Sequence, residues 1–526
     1  MNNDKFDFSK ERVLLLEKGR RGFSKMIFGR TGIIVLLLLF QAVILVTGFI
    51  YIEDVFPYMV ALSVTMSVVI VINLISNDDN PVVKITWIVL IMLMPVFGLL
   101  LYLFIKMDLG HRLMIGAYNN IINETKPLMH SEKAVNIEEC DASDDFKSTG
   151  SYLNGLGFPV YTNTEVKYFP LGEDKFEEML VQLEAAEKFI FLEYFIVAEG
   201  YMWGRVLDIL HRKVQQGVEV RMMYDGTCAF ALLPYNYPKK INDLGIKCKM
   251  FSPITPFIST HYNNRDHRKI LVIDGKVAFT GGINLADEYI NQKEVYGHWK
   301  DTAIMLRGDA VRTFTLMFLQ MWNTGVQNKE NYAKYLLQNQ QYHYSGYVIP
   351  YGDSPLDKDL TGEMVYYDMI NRANKYVHIM TPYLIIDNEM ITALIFAAKR
   401  GIDVRLILPH IPDKKIPFAL AHGHYKRLIE NGVKIYEYEP GFIHAKVFVC
   451  DDIKAVVGTI NLDYRSLYHH FECAAYMYDV DCIHEIEEDF WATLKKCSRV
   501  TQETMKNDKV SRKIMGIAMK AVAPLM

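Results

Sequence analysis

Two strings in the chain set a histidine, a lysine and an aspartate at one spacing. The first is His267-Arg268-Lys269-Ile270-Leu271-Val272-Ile273-Asp274, with Gly281-Gly282-Ile283-Asn284 following after a six-residue gap. The second is His444-Ala445-Lys446-Val447-Phe448-Val449-Cys450-Asp451, followed after the same gap by Gly458-Thr459-Ile460-Asn461. The β-branched and aromatic run inside each string predicts a strand, along which side chains alternate between faces. His267 and Lys269 then share a face, as do His444 and Lys446. Asp274 and Asp451 belong to the catalytic set as motif members. Their odd spacing turns them away or sets them at the strand end, where Asp274-Gly275 signals a turn. They are expected to brace the scaffold.

Such groups suit a phosphodiester. Lys269, Lys446, Asn284 and Asn461 can donate to non-bridging oxygens and stabilise the charge that builds in the transition state. One imidazole can attack phosphorus while the other protonates the leaving oxygen. Each ring needs a partner on its other nitrogen to fix its tautomer. Candidate acids stand downstream of both strings: Asp301 in His298-Trp299-Lys300-Asp301-Thr302, and Glu472 in His469-His470-Phe471-Glu472-Cys473-Ala474. A lone HxKx₄D string is weak evidence, and a lone histidine before an apolar strand is ordinarily structural. Duplication with matching downstream Gly and Asn makes the pattern specific. A metal centre is disfavoured, because lysine stands where a second ligand would and the remaining groups are mostly donors. His422-Gly423-His424 has ligand-like spacing without a matched acid or thiol nearby, and reads as surface or lining polarity.

The strings sit at equivalent places in an internal repeat. One copy runs Ala186-Glu187-Lys188-Phe189-Ile190-Phe191, a helical stretch, then Gly217-Val218-Glu219-Val220-Arg221. The other runs Ala373-Asn374-Lys375-Tyr376-Val377-His378, a helical stretch, then Gly401-Ile402-Asp403-Val404-Arg405. Strand, helix, strand predicts a βαβ crossover with parallel pairing. The expected class is α/β: two pseudo-twofold-related units, 151–340 and 341–526, with mixed or parallel sheets flanked by helices. A site made jointly by the two would lie at their interface. Residues 107–150, polar and irregular with an acidic patch, read as a linker.

The chain of 526 residues is 51% hydrophobic, and the apolar residues concentrate before residue 106. After a basic segment, 1–30, the stretches 31–52, 56–76 and 82–105 predict two to three transmembrane helices. The basic flank before residue 31 favours a cytoplasmic N-terminus, and Lys106 and Arg112 pull the other way, so the face carrying the site is left open. No small-residue cleavage site follows the first stretch, which argues against a signal peptide. A net charge of −4 gives no global field for nucleic acid. The seven cysteines lack metal-like spacing and predict no disulfide framework. Residues 509–526, with Lys509, Arg512, Lys513 and Lys520 among apolar residues, could lie in a membrane interface.

The duplicated strings resemble the HKD motifs of the phospholipase D superfamily over nearly all of residues 151–500. The likeness narrows to bacterial cardiolipin synthases on the stretches around Asn80-Pro81, Pro95-Val96-Phe97-Gly98, Leu192-Glu193-Tyr194-Phe195, Gly281–Tyr289, His298–Thr302, Thr381-Pro382-Tyr383 and Gly458–Ser466. The resemblance implies phospholipase D-like domains and a double displacement without metal or cofactor. His267 would attack the phosphate of one phosphatidylglycerol and His444 would protonate the departing glycerol. A second phosphatidylglycerol would then take the phosphatidyl group, giving cardiolipin. Lys269, Lys446, Asn284 and Asn461 would hold phosphate, with Asp301 and Glu472 orienting the rings. The implied partners are phosphatidylglycerol and membrane lipids, with no nucleic acid and a homo-oligomer left open; the implied place is the cell membrane, as a multi-pass protein. Two departures stand out: three hydrophobic segments instead of the family's usual two, and Gly282 where many relatives carry serine. A phospholipase D-type hydrolase, a transphosphatidylase using another alcohol, and a non-catalytic membrane scaffold are the competing readings.

Overall fold

The computed structural model describes residues 39–43, 56–77, 81–106, 109–129, 133–253, 264–326, 330–336, 340–506, 508 and 510–520. The basic segment 1–30 and most of the stretch 31–52 lie outside the described residues.

Two sheets carry the chain, and their strands are laid out in the same order. The first runs Thr164–Phe169, Ala303–Gly308, Val277–Gly281, Lys269–Ile273, Phe189–Tyr194, Glu219–Asp225, Lys247–Phe251. The second runs Tyr347–Asp353, His470–Tyr478, Lys454–Gly458, Val447–Cys450, Tyr376–Met380, Asp403–Pro409, Lys434–Tyr438, Cys497–Arg499. Both expected crossovers are present. Phe189 pairs in parallel with Glu219 across the helix Tyr201–Gln215, and Tyr376 with Asp403 across Asn388–Lys399. The motif strands pair antiparallel with their neighbours, so the sheets are mixed.

One continuous core joins the halves. Phe191, Val272 and Ile304 of the first pack in one cluster with Val447, Val457 and Ala475 of the second. Two short parallel ladders also cross between them. Arg265–Asp266 pairs with the start of His470–Tyr478, and His298–Lys300 pairs with Gly441–Ile443.

The motif aspartates sit in the turns that close the motif hairpins. Asp274 has φ 54° and Asp451 φ 57°, left-handed conformations that aspartate tolerates better than most residues. Asp274 accepts the amides of Glu187, Lys188 and Phe189 at 2.7–2.8 Å. Asp451 accepts those of Asn374, Lys375 and Tyr376 at 2.7–2.9 Å. Each pins the first strand of its crossover to the motif hairpin. Their place in the catalytic set is corrected accordingly: they fix backbone at the far end of the strand from the histidines. Asp274→Ala, which strands three amides, is expected to cost about 2–4 kcal/mol and lower the thermal midpoint by roughly 2–4 °C. Lost turnover with an unmoved midpoint would contradict this bracing role.

Among the described residues, 107–150 is not an irregular linker. Leu109–Met129 is a 21-residue helix, and Asp144–Gly155 another, capped by Ser143. In the first, Tyr118, Ile121, Thr125 and Met129 recur at helical spacing and are buried. The helix packs on Val311–Asn323, where Gln320 donates to Thr125 at 2.9 Å and Arg312 holds the Leu128 carbonyl.

The expected membrane-crossing helices are not shown: among the described residues no helix is long and apolar enough to cross a membrane. Residues 82–105 break at Pro95 into Pro81–Leu93 and Pro95–Lys106, of 13 and 12 residues. At a rise of about 1.5 Å per residue each is shorter than a bilayer core. The two pack as a close hairpin, since a Cβ at Gly98 would lie 2.8 Å from the Ile91 backbone. Phe56–Ser76 is one helix, its apolar run interrupted by Ser63, Thr65, Ser67 and Asn73.

Candidate active site

The crossing ladders bring each histidine to an acid of the other half. The His267 amide donates to the Phe471 carbonyl at 3.0 Å, next in sequence to Glu472. The His444 amide donates to the Lys300 carbonyl at 2.7 Å, next to Asp301. The side chains follow: His267 Nδ1 lies 2.9 Å from both oxygens of Glu472, and His444 Nδ1 lies 2.6 Å from Asp301 Oδ2. Sequence reading supplied the four residues, but not the crossed pairing. Both acids are fully buried, and His267 and His444 are 6% and 7% exposed.

The two pairs are not equivalent. Thr459 donates its hydroxyl to Glu472 Oε2 and accepts the Cys473 amide at 3.0 Å. Gly282 holds the matching place in the first half, where a Cβ would stand 2.0 Å from Asp301 Oδ1. Glycine is thus needed to admit the shorter acid, whose Oδ1 takes the Thr302 amide at 2.8 Å instead. The lysines differ too. Lys269 Nζ donates to the His267 carbonyl at 2.5 Å, whereas Lys446 Nζ lies 2.9 Å from His444 Nδ1 as well as on the His444 carbonyl.

Electrostatics sharpen the asymmetry. Burial holds both imidazoles well below their ordinary value, opposed at His267 by Glu472 and reinforced at His444 by Lys446. Burial works against the Glu472 carboxylate, yet the hydrogen bond from His267 keeps that carboxyl below the usual range. Asp301 is pushed up to about 7 by burial, against the pull of Lys446. Burial also brings Lys269 down to about 8 and Lys446 to about 7, countered by Glu472 and Asp301 respectively.

Asn284 is buried, accepts the Ile196 amide at 3.0 Å and donates to the Tyr289 hydroxyl at 2.8 Å. One amide hydrogen is therefore committed to Tyr289, whose ring meets His444 edge-on at 5.4 Å. Asn461 is buried, with its Oδ1 free of hydrogen bonds among the described residues. Three contributors went unnoticed in the sequence. Thr459 was visible only as a motif position. Lys175, buried with Nζ 3.2 Å from the Tyr194 hydroxyl, is brought down to about 7 by burial, opposed by Asp301; no local pattern marks it. His470, beside Glu472 in the sequence, stacks near His267 with ring centroids 5.4 Å apart. Ligand atoms of His267, His470 and Glu472 lie within 4.8 Å of one another, a spacing a metal ion could use. The ammonium charges of Lys269 and Lys446 act on the same groups and favour an anion over a dication there.

The expectation for His422 needs amending. Its ring is buried between Asp508 and Glu437, each at 3.1 Å, and ties the helix Lys415–Glu430 to the C-terminal segment. Both acids were too distant in sequence to be matched with it.

The chain matches the family described as cardiolipin synthase, PLD-like domain, over residues 179–322 and 366–494. Residues 62–106 match the phospholipase D-nuclease N-terminal family. A cardiolipin synthase of Geobacillus sp. is 33% identical, with 88% of this chain and 93% of that one covered. Cardiolipin synthase 2 of Bacillus anthracis is 32% identical, with 86% and 88% covered. An uncharacterized protein of Streptococcus mutans is 55% identical, with 87% and 99% covered. Among solved structures, phosphatidylserine synthase of Haemophilus influenzae superposes with a TM-score of 0.56 at 15% identity, covering 73% of this chain and all of that one, a likeness of fold.

Proposed function

Because the chain belongs to the cardiolipin synthase family of phospholipase D-like proteins, we propose that this phosphatidyltransferase condenses two phosphatidylglycerol molecules into cardiolipin and glycerol. The observation that carries the mechanism is the pair of unlike His–carboxylate contacts. Ionised Glu472 can only accept, so His267 presents Nδ1–H to it and keeps a lone pair on Nε2. Lys446 donates toward Nδ1 of His444, and Asp301, near neutrality, can do the same, which leaves the proton of that ring on Nε2. His267 is the nucleophile and His444 the acid.

In the first step His267 Nε2 bonds to phosphorus, the phosphorus–oxygen bond to glycerol breaks, and the glycerol oxygen takes the Nε2 proton of His444 while the ring's Nδ1 takes one from the Lys446 ammonium, so that the ring stays neutral. In the second, the hydroxyl of another phosphatidylglycerol bonds to phosphorus, its proton passes to His444 Nε2 as Nδ1 returns one to Lys446, and the nitrogen–phosphorus bond breaks. Lys269 and Lys446, with Asn284 and Asn461, hold the non-bridging oxygens. Deep burial of both rings limits access of water to the phosphatidyl-histidine, which favours a lipid hydroxyl as acceptor over hydrolysis.

The protein sits at the cell membrane as a multi-pass protein in this reading. Exposed Leu62, Val68, Val69, Ile72 and Ile75 on one helix support it, since so large an apolar surface marks a membrane or partner contact. Purified full-length protein given labelled phosphatidylglycerol in micelles should release glycerol and cardiolipin in equal amounts. Phosphatidic acid in place of cardiolipin would make it a hydrolase.

The pH profile follows from the lysines. Turnover at low substrate should fall as pH rises through about 7–8, where Lys446 and Lys269 lose their protons. A bound phosphate stabilises both ammonium groups, so the same limb should move to higher pH at saturating lipid. A limb fixed at one pH under both conditions would contradict the phosphate-holding role.

A further inference from the structure

Next to the site a groove of about 930 Å³ opens between the helix Lys415–Glu430, residues 463–465 and the C-terminal helix Val510–Lys520. Ile385, Ile416, Leu420, Tyr464 and Met515 give it an apolar wall. Its floor is a small core of Ile385, Leu420 and Tyr464, with Ile416 and Met519 packed against them. Lys414, Lys415 and Arg465 set three basic groups along it against the single acid Asp463. The volume falls in the range of small-molecule pockets.

The groove abuts the second motif. Asp463 lies two residues beyond Asn461, and its charge acts on Lys446. Lys414 likewise acts on His444. The C-terminal helix is seated closely over the other side. A Cβ at Gly516 would stand 2.6 Å from the Ala419 carbonyl oxygen, and Lys520 donates to the Gly423 carbonyl at 2.9 Å. Its outward face leaves Val510 and Ile514 exposed at 70% and 62%, beside Arg512 and Lys513. Apolar residues flanked by cations suit the surface of an anionic bilayer.

We propose that this groove takes one acyl chain of an anionic phospholipid substrate, its phosphate drawn past Lys414 toward His444, with the C-terminal helix as the outer wall. The proposal rests on the phosphatidyltransferase reading and adds where the lipid tail lies. Ile416 and Met515 are half-buried, so the double variant Ile416→Trp, Met515→Trp can fill the groove without displacing the core. In the same micelles, turnover of dioleoyl-phosphatidylglycerol should fall at least about tenfold, because each methylene denied its place counts for roughly fourfold. Turnover of the dioctanoyl lipid, which has fewer methylenes to place in the groove, should fall by a clearly smaller factor. Equal loss on both lipids, or no loss on either, would overturn the proposal.

A second measurement does not depend on turnover. Phosphatidylglycerol with a diazirine on its acyl chain should label peptides spanning 415–420 or 510–520 of the full-length protein, and unlabelled phosphatidylglycerol should compete. Labelling confined elsewhere, or matched by a diacylglycerol probe without phosphate, would also overturn it. Failure to make cardiolipin from either lipid would instead count against the proposed reaction, while the labelling still judges the groove.

Discussion

Replacing His267 with alanine is expected to lower cardiolipin formation by about 10⁴-fold or more, because the nitrogen that attacks phosphorus is removed. Replacing His444 with alanine should cost about 10²–10⁴-fold, the usual range for a lost general acid. The two losses have different origins, and a good leaving group separates them. A phosphatidyl ester of p-nitrophenol departs without being protonated, so His444→Ala should still release p-nitrophenol in a burst and trap an acid-labile phosphohistidine. His267→Ala should do neither. A burst from His267→Ala and none from His444→Ala would exchange the roles. Each variant leaves a buried carboxyl without its imidazole, Glu472 or Asp301, so thermal midpoints must accompany the kinetics.

The second large effect concerns the acids. Glu472→Gln should lower turnover by about 10²–10³-fold, whereas Asp301→Asn should cost roughly tenfold or less. Glu472 must accept from His267 Nδ1. An amide there can turn its NH₂ toward the ring, which moves the ring proton to Nε2 and removes the attacking lone pair. Asp301, pushed up to about 7 by burial, can donate toward His444 when protonated, a service asparagine can also render, and Lys446 remains 2.9 Å from the same nitrogen. Parallel measurement of phosphohistidine formation in both variants checks this. Equal losses would mean that the two carboxyls do one job, against the assignment of nucleophile and acid made here.

The candidate residues were legible because they are written linearly. A repeated HxKx₄D string, each with its downstream Gly and Asn, needs no tertiary knowledge, and the strand–helix–strand order around it sufficed for the two parallel crossovers. The turn at Asp274-Gly275 was equally local. What was hidden is set by contacts between distant segments. The crossed pairing of His267 with Glu472 depends on a two-residue ladder between Arg265–Asp266 and the strand beginning at His470, too short to leave a pattern. Leu109–Met129 was taken for linker because Asn119, Asn120, Asn123, Glu124 and Lys126 interrupt its apolar residues. Pro95 was visible in the third hydrophobic segment, and its power to end a helix there outweighed the length of the apolar run.

Gly282 and Thr459 hold equivalent places, yet one makes room for an aspartate and the other binds a glutamate. Two identical half-molecules associating about a true twofold axis could never show that difference, for every atom would have a twin and either ring could attack. Joining the copies in one polypeptide released them from symmetry. Under the proposed mechanism each half takes its own task, and the order of bond making would be a property of the chain, no longer a choice remade at every encounter.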